Sequence, residues 1–198
     1  MIIHDLQQGT PEWGAVRFGK FTASNIHKLF MGKSTAGYND YINQIVYERL
    51  TGHKPESFES EWMRRGTELE PEAISAYELL TFDKVVPVGF IELDEWRGCS
   101  PDGLVGQDGM IQVKCPKWST LIDYHLTGKI PEDYLYQMQY EMYISGRKWN
   151  DFFCYHPNLK PLLKRVKLDE TYSEDFEREI SIAQKEVEKR IAKIKEMQ

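Results

Sequence analysis

The residues best suited to chemistry lie in two short segments near the middle of the chain. Asp102 follows a Ser-Pro pair and precedes a glycine, and further along Gln112 and Lys114 flank Val113 in a segment rich in β-formers. Because side chains alternate along a strand, Gln112 and Lys114 point to the same face. A hairpin between the two segments brings Asp102 to that face, so the sequence predicts that the three side chains meet at one point.

Such a trio suits the metal-assisted hydrolysis of a phosphate ester. Oxygen ligands hold a hard cation such as Mg²⁺, which polarises the phosphate. A lysine beside them can orient or deprotonate the attacking water and offset the negative charge that develops. Singly, each residue has an ordinary alternative, since an aspartate before glycine is typical of a turn and a strand lysine is typical of a solvent face. The joint spacing is more specific than its parts.

The elements that must position these residues indicate an α/β fold. Apolar residues at helical spacing predict helices over 25–30, 38–50, 67–80, 119–126, 133–145 and 173–195. β-Branched and aromatic residues predict strands over 84–93, 96–99, 110–115, 149–155 and 162–168. Eight residues of loop are expected between Gly103 and Gln112. We therefore expect one domain over 1–198, with a helical N-terminal half and a central mixed β-sheet flanked by helices.

Charge and cysteine content limit the partners and the compartment. The formal net charge is −6, so a surface that binds DNA must be a local one. Acidic residues concentrate in 56–78 and 169–188, whereas basic residues recur at Arg17, Lys20, Lys114, Lys117 and in 160–167. The three cysteines form no CxxC pair, and we find neither a membrane span nor a secretory signal in the sequence. We expect free thiols and a cytoplasmic protein.

The combined motifs resemble those of a known nuclease family. Ser-Pro-Asp-Gly-Leu at 100–104 and Val-Lys-Cys-Pro at 113–116 resemble the catalytic hairpin of the lambda exonuclease and YqaJ-type viral recombinase family, in the PD-(D/E)XK nuclease superfamily. Segments at 8–13, 17–24, 65–70 and 136–140 resemble the family's other motifs in the same order. The resemblance covers residues 8 to 155 and implies a restriction-endonuclease-like core.

The resemblance implies catalytic roles for several residues. Asp102 and the main-chain carbonyl of Val113 would bind metal, and Lys114 would serve the nucleophilic water. Glu70 matches an acidic residue that lies close to the metal on a helix of the family. An alternative remains for Glu70, because its spacing from Thr67 also fits a capping box at a helix N-terminus.

The resemblance also implies a site for a DNA end and side chains that support the metal site. Arg17, Ser24 and Ser100 match residues that hold the 5′-phosphate, where a guanidinium and hydroxyls can donate to phosphate oxygens. Gln137 and Gln139 would support the metal site by hydrogen bonding. The ordinary alternatives are a packed surface arginine, a serine that caps a helix and the polar face of an amphipathic helix.

Position 112 departs from the family pattern. The family has glutamate there, whereas Gln112 brings a neutral amide with one carbonyl oxygen to the catalytic and metal-binding position. The difference matters because divalent-ion affinity depends on ligand charge. Our hypothesis is that glutamate was deliberately changed to glutamine at this position, in order to trap a substrate or metal complex without cleavage. The exchange keeps the shape of the side chain and removes its charge. The alternative is a natural glutamine, in a tolerant or a degenerate enzyme.

The activity that the resemblance implies is 5′–3′ digestion of linear duplex DNA from 5′-phosphorylated ends, with Mg²⁺ or Mn²⁺ and two ions per site. The product would carry 3′ overhangs for phage recombination. The resemblance further implies a homotrimeric ring around DNA and a phage single-strand annealing protein as partner, in the cytoplasm of a bacterial host. Two other interpretations remain, namely a catalytically silent DNA-end-binding module and a structure-specific endonuclease on the same fold.

Overall fold

The strands of the described residues form two mixed sheets. This computed structural model describes residues 1–55 and 61–197, apart from the Met63 side chain, so part of the acidic segment at 56–78 lies outside it. The small sheet has the order β1 (Ile2–His4), β4 (Phe90–Glu92), β5 (Arg97–Cys99) and β2 (Phe21–Thr22). The large sheet has the order β3 (Val85–Val86), β6 (Gly103–Val105), β7 (Gly109–Lys114), β8 (Trp149–His156) and β9 (Leu159–Lys167). The pairs β2–β5 and β7–β8 are parallel, and the other pairs are antiparallel.

Helices flank these sheets. They are α1 (Pro11–Arg17), a 3-10 helix (Ala23–Phe30), α2 (Ala36–Thr51), α3 (Glu61–Thr81), α4 (Trp118–Thr127), α5 (Glu132–Ser145) and α6 (Glu170–Glu196). The ends of α2 follow from its capping residues, because the Thr35 side chain accepts from the Tyr38 N–H and Gly52 takes a left-handed conformation. Within the described ranges, no helix is both long enough and apolar enough to cross a membrane.

The two-residue period of the strands decides what covers the large sheet. Ile111, Val113 and Phe153 turn to one face and pack against α3. Phe152 and Cys154 turn to the other face and pack against α4 and α5. Each fully buried large side chain contributes about 1.5–3 kcal/mol to folding, so both faces are firmly covered. The β7 side chains that alternate with the α3-facing ones therefore point towards α4 and α5.

A second core joins the small sheet to the helices of the N- and C-terminal regions. Phe21 of β2 lies 6.0 Å from the rings of both Tyr41 and Trp96. Phe176 of α6 packs edge-to-face on Tyr140 of α5, with ring centroids 5.0 Å apart. The C-terminal helix α6 packs mainly on α2 and α5, and with these two helices it covers this core.

The predicted α/β fold with a mixed sheet flanked by helices is confirmed, but some boundaries are wrong. The strand predicted over 84–93 is two strands in different sheets, because Pro87 and Gly89 separate β3 from β4. A Cβ atom at Gly89 would lie 2.2 Å from the Leu6 main-chain oxygen, so only glycine permits this close approach. The strand β1 and the helix α1 were not predicted at all.

Two further corrections concern the segments that hold the candidate site. The loop expected between Gly103 and Gln112 is largely the paired strands β6 and β7, and only residues 106–108 form the turn, where Gly106 has a φ of 53°. The helix expected from 67 begins at Glu61. Thr67 therefore lies inside α3, and the capping-box interpretation of Glu70 is wrong.

A buried carboxylate fastens α3 and β9 to the middle of the large sheet. Asp151 of β8 is 1% exposed, and its Oδ2 accepts from the Tyr77 hydroxyl at 2.8 Å. The Arg165 guanidinium of β9 donates to both carboxylate oxygens, each at 2.8 Å. The negative charge of Asp151 is thus matched by Arg165, as a buried carboxylate requires.

We expect Tyr77→Phe to lower the free energy of unfolding by about 1.5–3 kcal/mol, because it removes a buried hydrogen bond to a charged group. Denaturant unfolding of both chains would measure the difference. Tyr155→Phe is the matched control, since the Tyr155 hydroxyl donates to Glu72 at the surface, and its loss should stay within about 0.5 kcal/mol. Equal losses in the two variants would contradict this role of Asp151.

Candidate active site

The β6–β7 hairpin carries the central residues of the candidate site. Gly103 pairs with Ile111, which places Asp102, just before β6, beside Gln112 and Val113. Asp102 Oδ2 accepts the Val113 main-chain N–H at 2.6 Å and a hydrogen bond from the Gln112 side-chain amide. Gly103 is needed here, because a Cβ atom would lie 2.2 Å from Val85. The structure thus brings Asp102 and Gln112 into contact.

Lys114 and Glu70 complete the group around Asp102 in one cleft. The cleft has a volume of 660 Å³ and is lined by Trp62, Gly66, Thr67, Glu70, Asp102, Val113, Lys114, Cys115, Pro116, Lys117, Thr120, Tyr124 and Tyr134. The Lys114 ammonium lies 4.8 Å from the Tyr134 ring centroid, so the ring limits where the charge can move. Glu70 lines the cleft from α3, and Tyr134 lines it from α5.

The electrostatics of this cleft disfavour the ionised forms of its carboxylates. Burial, and then the charge of Asp102, raise the pKa of Glu70 to about 7, while Lys114 opposes the shift. Burial also raises the pKa of Asp102, against Lys114 and the Val113 N–H. Two poorly solvated carboxylates that repel each other gain from a bound cation. Within the described residues no three His, Cys, Asp or Glu side chains form a metal-binding cluster, so neutral oxygens would have to complete the ligand set.

Gln112 belongs to a buried hydrogen-bond network that extends away from the cleft. Its side-chain oxygen accepts from Gln137 Nε2 at 2.6 Å, and the same nitrogen donates to Glu141 Oε1 at 2.9 Å. Asn150 Nδ2 donates to Glu141 Oε2, also at 2.9 Å. Gln112 therefore turns an N–H towards Asp102, and a donor of that kind does not ligate a cation.

Glu141 is the residue of this network that sequence reasoning missed. Burial, and then the charge of Asp102, raise its pKa to about 8, against donation from Gln137 and Asn150 and the charge of Lys114. The available signal was its position between Tyr140 and Met142, two apolar neighbours, four residues after Gln137. A glutamate at helical spacing from a glutamine of the family motif faces the same side of α5.

Gln139 does not join Gln137 at the site. Its Nε2 donates to the Lys167 main-chain oxygen at 2.9 Å, and its Oε1 accepts from the Asp169 N–H at 3.0 Å. Residues two apart on an α-helix point in nearly opposite directions, because each residue turns the helix by about 100°. Gln139 thus connects α5 to the junction of β9 and α6, and only Gln137 is placed to support the hairpin.

Arg17 and Ser100 meet next to the hairpin. Arg17 Nη1 donates to Ser100 Oγ at 2.6 Å, and Trp13 Nε1 donates to the same oxygen at 3.0 Å. The guanidinium lies 4.0 Å from the Trp13 ring centroid, and burial lowers the pKa of Arg17 to about 10. Among the described ion pairs, none involves Arg17, so its charge is available to an anionic ligand.

Ser24 shares a second cleft with Arg17. This cleft of 300 Å³ is lined by Trp13, Gly14, Arg17, Phe18, Lys20, Thr22, Ser24, Asn25, Gln44, Glu48 and Lys54. Ser24 is exposed, and Thr22 occupies the N-cap position of the 3-10 helix, so Ser24 is not the capping residue. The three side chains expected to hold a 5′-phosphate therefore lie in one region, with Ser100 contacting Arg17 and Ser24 lining the adjoining cleft.

The chain is similar to a known family and to solved structures. The model of the YqaJ-like viral recombinase domain matches residues 12–148. An alkaline exonuclease (LHK-Exo) from Laribacter hongkongensis has 36% sequence identity and a TM-score of 0.87, over 95% of this chain and 97% of that chain. Its complex with dAMP gives a TM-score of 0.88 at the same identity and coverage. A phage-related exonuclease from Haemophilus somnus 129PT, at 17% identity and a TM-score of 0.67 over 88% of this chain and 96% of that chain, is alike in fold.

A comparison with curated proteins gave no match. The family model nevertheless spans most of the chain, from Glu12 in α1 to Lys148 just before β8, and so includes the hairpin with Asp102. The resemblance inferred from the motifs is therefore confirmed. The chain belongs to the YqaJ-like viral recombinase domain family.

Proposed function

We propose that this chain is a Mg²⁺-dependent 5′–3′ exonuclease, also served by Mn²⁺, that digests linear duplex DNA from 5′-phosphorylated ends and leaves 3′ overhangs. One observation carries the proposal. Ser100, which accepts a hydrogen bond from Arg17, lies only two residues before Asp102, so a terminal phosphate held by Arg17 would stand beside the hydrolytic residues. The relative from Laribacter is an alkaline exonuclease that also forms a complex with dAMP, a mononucleotide of the kind that exonucleases release.

The side chains of the large cleft divide the proposed chemistry among them. Asp102, Glu70 and the Val113 carbonyl would hold the cation, which is consistent with the raised pKa of both carboxylates. When bound, a pair of such ions polarises the phosphate and stabilises the attacking and leaving oxygens. Lys114, held beside Tyr134, orients the water that attacks phosphorus and offsets the negative charge as the 3′-oxygen leaves.

Gln112 lowers the activity of this chain in our proposal. A glutamate at this position would add an anionic ligand, whereas Gln112 donates its amide N–H to Asp102. That donation also occupies a lone pair of Asp102 that could otherwise meet a cation. The proposal holds for a glutamine introduced in place of glutamate and for a natural one, because the chemistry of the side chain is the same.

The proposal extends to assembly and location. A homotrimeric ring would let a protein of net charge −6 hold DNA, since positive charge is needed only along the inner channel. A phage single-strand annealing protein would take up the 3′ overhang for recombination. The enzyme would act in the cytoplasm of the bacterial host of a phage or prophage.

We expect Gln112→Glu to raise the rate of digestion of linear 5′-phosphorylated duplex DNA in Mg²⁺ by at least about tenfold, because ligand charge controls divalent-ion affinity. Release of acid-soluble nucleotides by the two chains, run in parallel, measures the effect. Gln107→Glu is the matched control, since it adds the same charge to the exposed turn of the same hairpin and should leave the rate unchanged.

Failure of both chains to digest DNA, with metal-independent binding of DNA ends retained, would contradict the exonuclease. The catalytically silent end-binding module would then be the better interpretation. Cleavage of a covalently closed duplex circle would instead favour a structure-specific endonuclease, because a circle offers no end.

We expect a preference for 5′-phosphorylated over 5′-hydroxyl ends of about 10–100-fold, as charge-assisted hydrogen bonds contribute about 1.5–3 kcal/mol. Arg17→Gln should abolish most of that preference, since it keeps a donor near Ser100 but removes the charge. The ratio of digestion rates on the two ends, measured in the Gln112→Glu background, gives the result. Arg178→Gln, on the exposed surface of α6, is the control, and an unchanged ratio in Arg17→Gln would exclude Arg17 from phosphate binding.

A further inference from the structure

Glu141 of α5 is a completely buried carboxylate to which the proposed mechanism gives no role. Its exposed fraction is 0%. An ionised carboxylate leaves water unfavourably unless hydrogen bonds and opposite charge compensate. Its hydrogen-bond donors are the neutral amides of Gln137 and Asn150, and none of the ion pairs between described residues includes it.

Asp151 of β8 is a buried carboxylate with a different set of partners. Asp151 receives the Arg165 guanidinium on both oxygens and the Tyr77 hydroxyl on one, so its charge is matched where it stands. Glu141 has no such partner, so burial and the charge of Asp102 raise its pKa, and its ionised form gains from a cation bound nearby. The groups around it include Asp102 and Lys114, both of which act electrostatically on Glu141.

A chain of hydrogen bonds connects Glu141 to Asp102 through the side-chain amides of Gln137 and Gln112. Gln137 turns its NH₂ group towards Glu141, and that group also donates to the Gln112 oxygen. Gln112 must then turn its own NH₂ group towards Asp102. Both ends of this chain of contacts are carboxyl groups, and the two amides between them each turn their NH₂ group towards one of these ends.

We propose that Glu141 is a third carboxylate of this site, beside Asp102 and Glu70. It supplies from α5 the charge that position 112 lacks, and it acts as a positioning residue by orienting Gln137 and Gln112 against Asp102. This inference rests on the cation site of the proposed function. Its consequence is that cation binding depends on Glu141 while residue 112 is glutamine, and becomes largely independent of Glu141 once residue 112 is glutamate.

A double-mutant cycle tests this dependence without reference to DNA hydrolysis. The four chains are the present one, Glu141→Gln, Gln112→Glu and the combination of both, and Mn²⁺ affinity is measured by isothermal titration calorimetry on the DNA-free protein. We expect Glu141→Gln to weaken Mn²⁺ binding by about 10–100-fold when residue 112 is glutamine, the range that partners of metal ligands show. With glutamate at 112, the same change should cost less than about threefold, because the ligand itself then carries the charge.

Controls separate this role from a merely structural one. Glu132→Gln removes a charge from an exposed position of the same helix and should leave Mn²⁺ affinity unchanged. Thermal unfolding without metal shows whether each chain is folded. If Glu141→Gln does not fold, Gln137→Met breaks the same connection while leaving Glu141 in place, and we expect the same loss of Mn²⁺ affinity from it.

Each outcome decides the matter. An equal effect of Glu141→Gln with glutamine and with glutamate at 112, or no effect in either, would overturn the role of Glu141 and leave the exonuclease proposal intact. Absence of Mn²⁺ binding in all four chains would overturn the cation site of the proposed function, and this inference with it. A loss confined to the chains with Gln112 would support both.

Discussion

The hydrogen bond from the Val113 main-chain N–H to Asp102 Oδ2 connects the fold of this protein to its chemistry. The bond is 2.6 Å long and lies just before the first residue of β6, where the carboxylate continues the hydrogen bonding of the β6–β7 pair. The parallel pairing of β7 with β8 holds the other side of the same strand. A shift of one residue in this register would turn Gln112 and Lys114 to the face that packs on α3, and the site would not form. The register of β7 is therefore the constraint on which the candidate site depends.

The same arrangement makes the site electrostatically unfavourable in the absence of a ligand. Glu141 is completely buried and Glu70 and Asp102 are partly buried, and Lys114 is the cation that acts on all three. The rest of the large sheet shows the contrasting solution, because Asp151 is matched by an arginine. Clusters of ionisable groups whose charges are not balanced by one another are typical of ligand-binding sites. A ligand that binds the folded protein at such a site stabilises it. Asp151 thus differs from the three carboxyl groups around the cleft, which form no ion pair with an arginine among the described residues.

Local sequence patterns predicted much of this fold. The parts that they did not predict depend on contacts between residues far apart in the sequence. The alternation of Gln112 and Lys114 predicted a shared face, since the period of a strand depends on the chain alone. The break between β3 and β4 depends on the approach of Leu6 to Gly89, a contact that no local pattern reveals. The extra turns at the start of α3 likewise lie outside the periodic segment that predicted the helix. Glu141 was missed because burial of a glutamate is decided by what packs around α5, not by its own propensity.

Spacing along α5 explains why a charge on a helix can serve a residue on a strand. Gln137 and Glu141 are four residues apart and so lie on one face of the helix, which packs beside β7 and β8. The side-chain amide of Gln137 lies between Glu141 and the strand β7. Its NH₂ group donates to both Gln112 and Glu141. A methionine or a leucine at position 137 could fill the same space, but it could not form the hydrogen bonds that connect Glu141 to Gln112 and so to Asp102. The charge of the site thus belongs to the interface between β7 and α5, and glutamine at 112 has to be interpreted together with glutamate at 141.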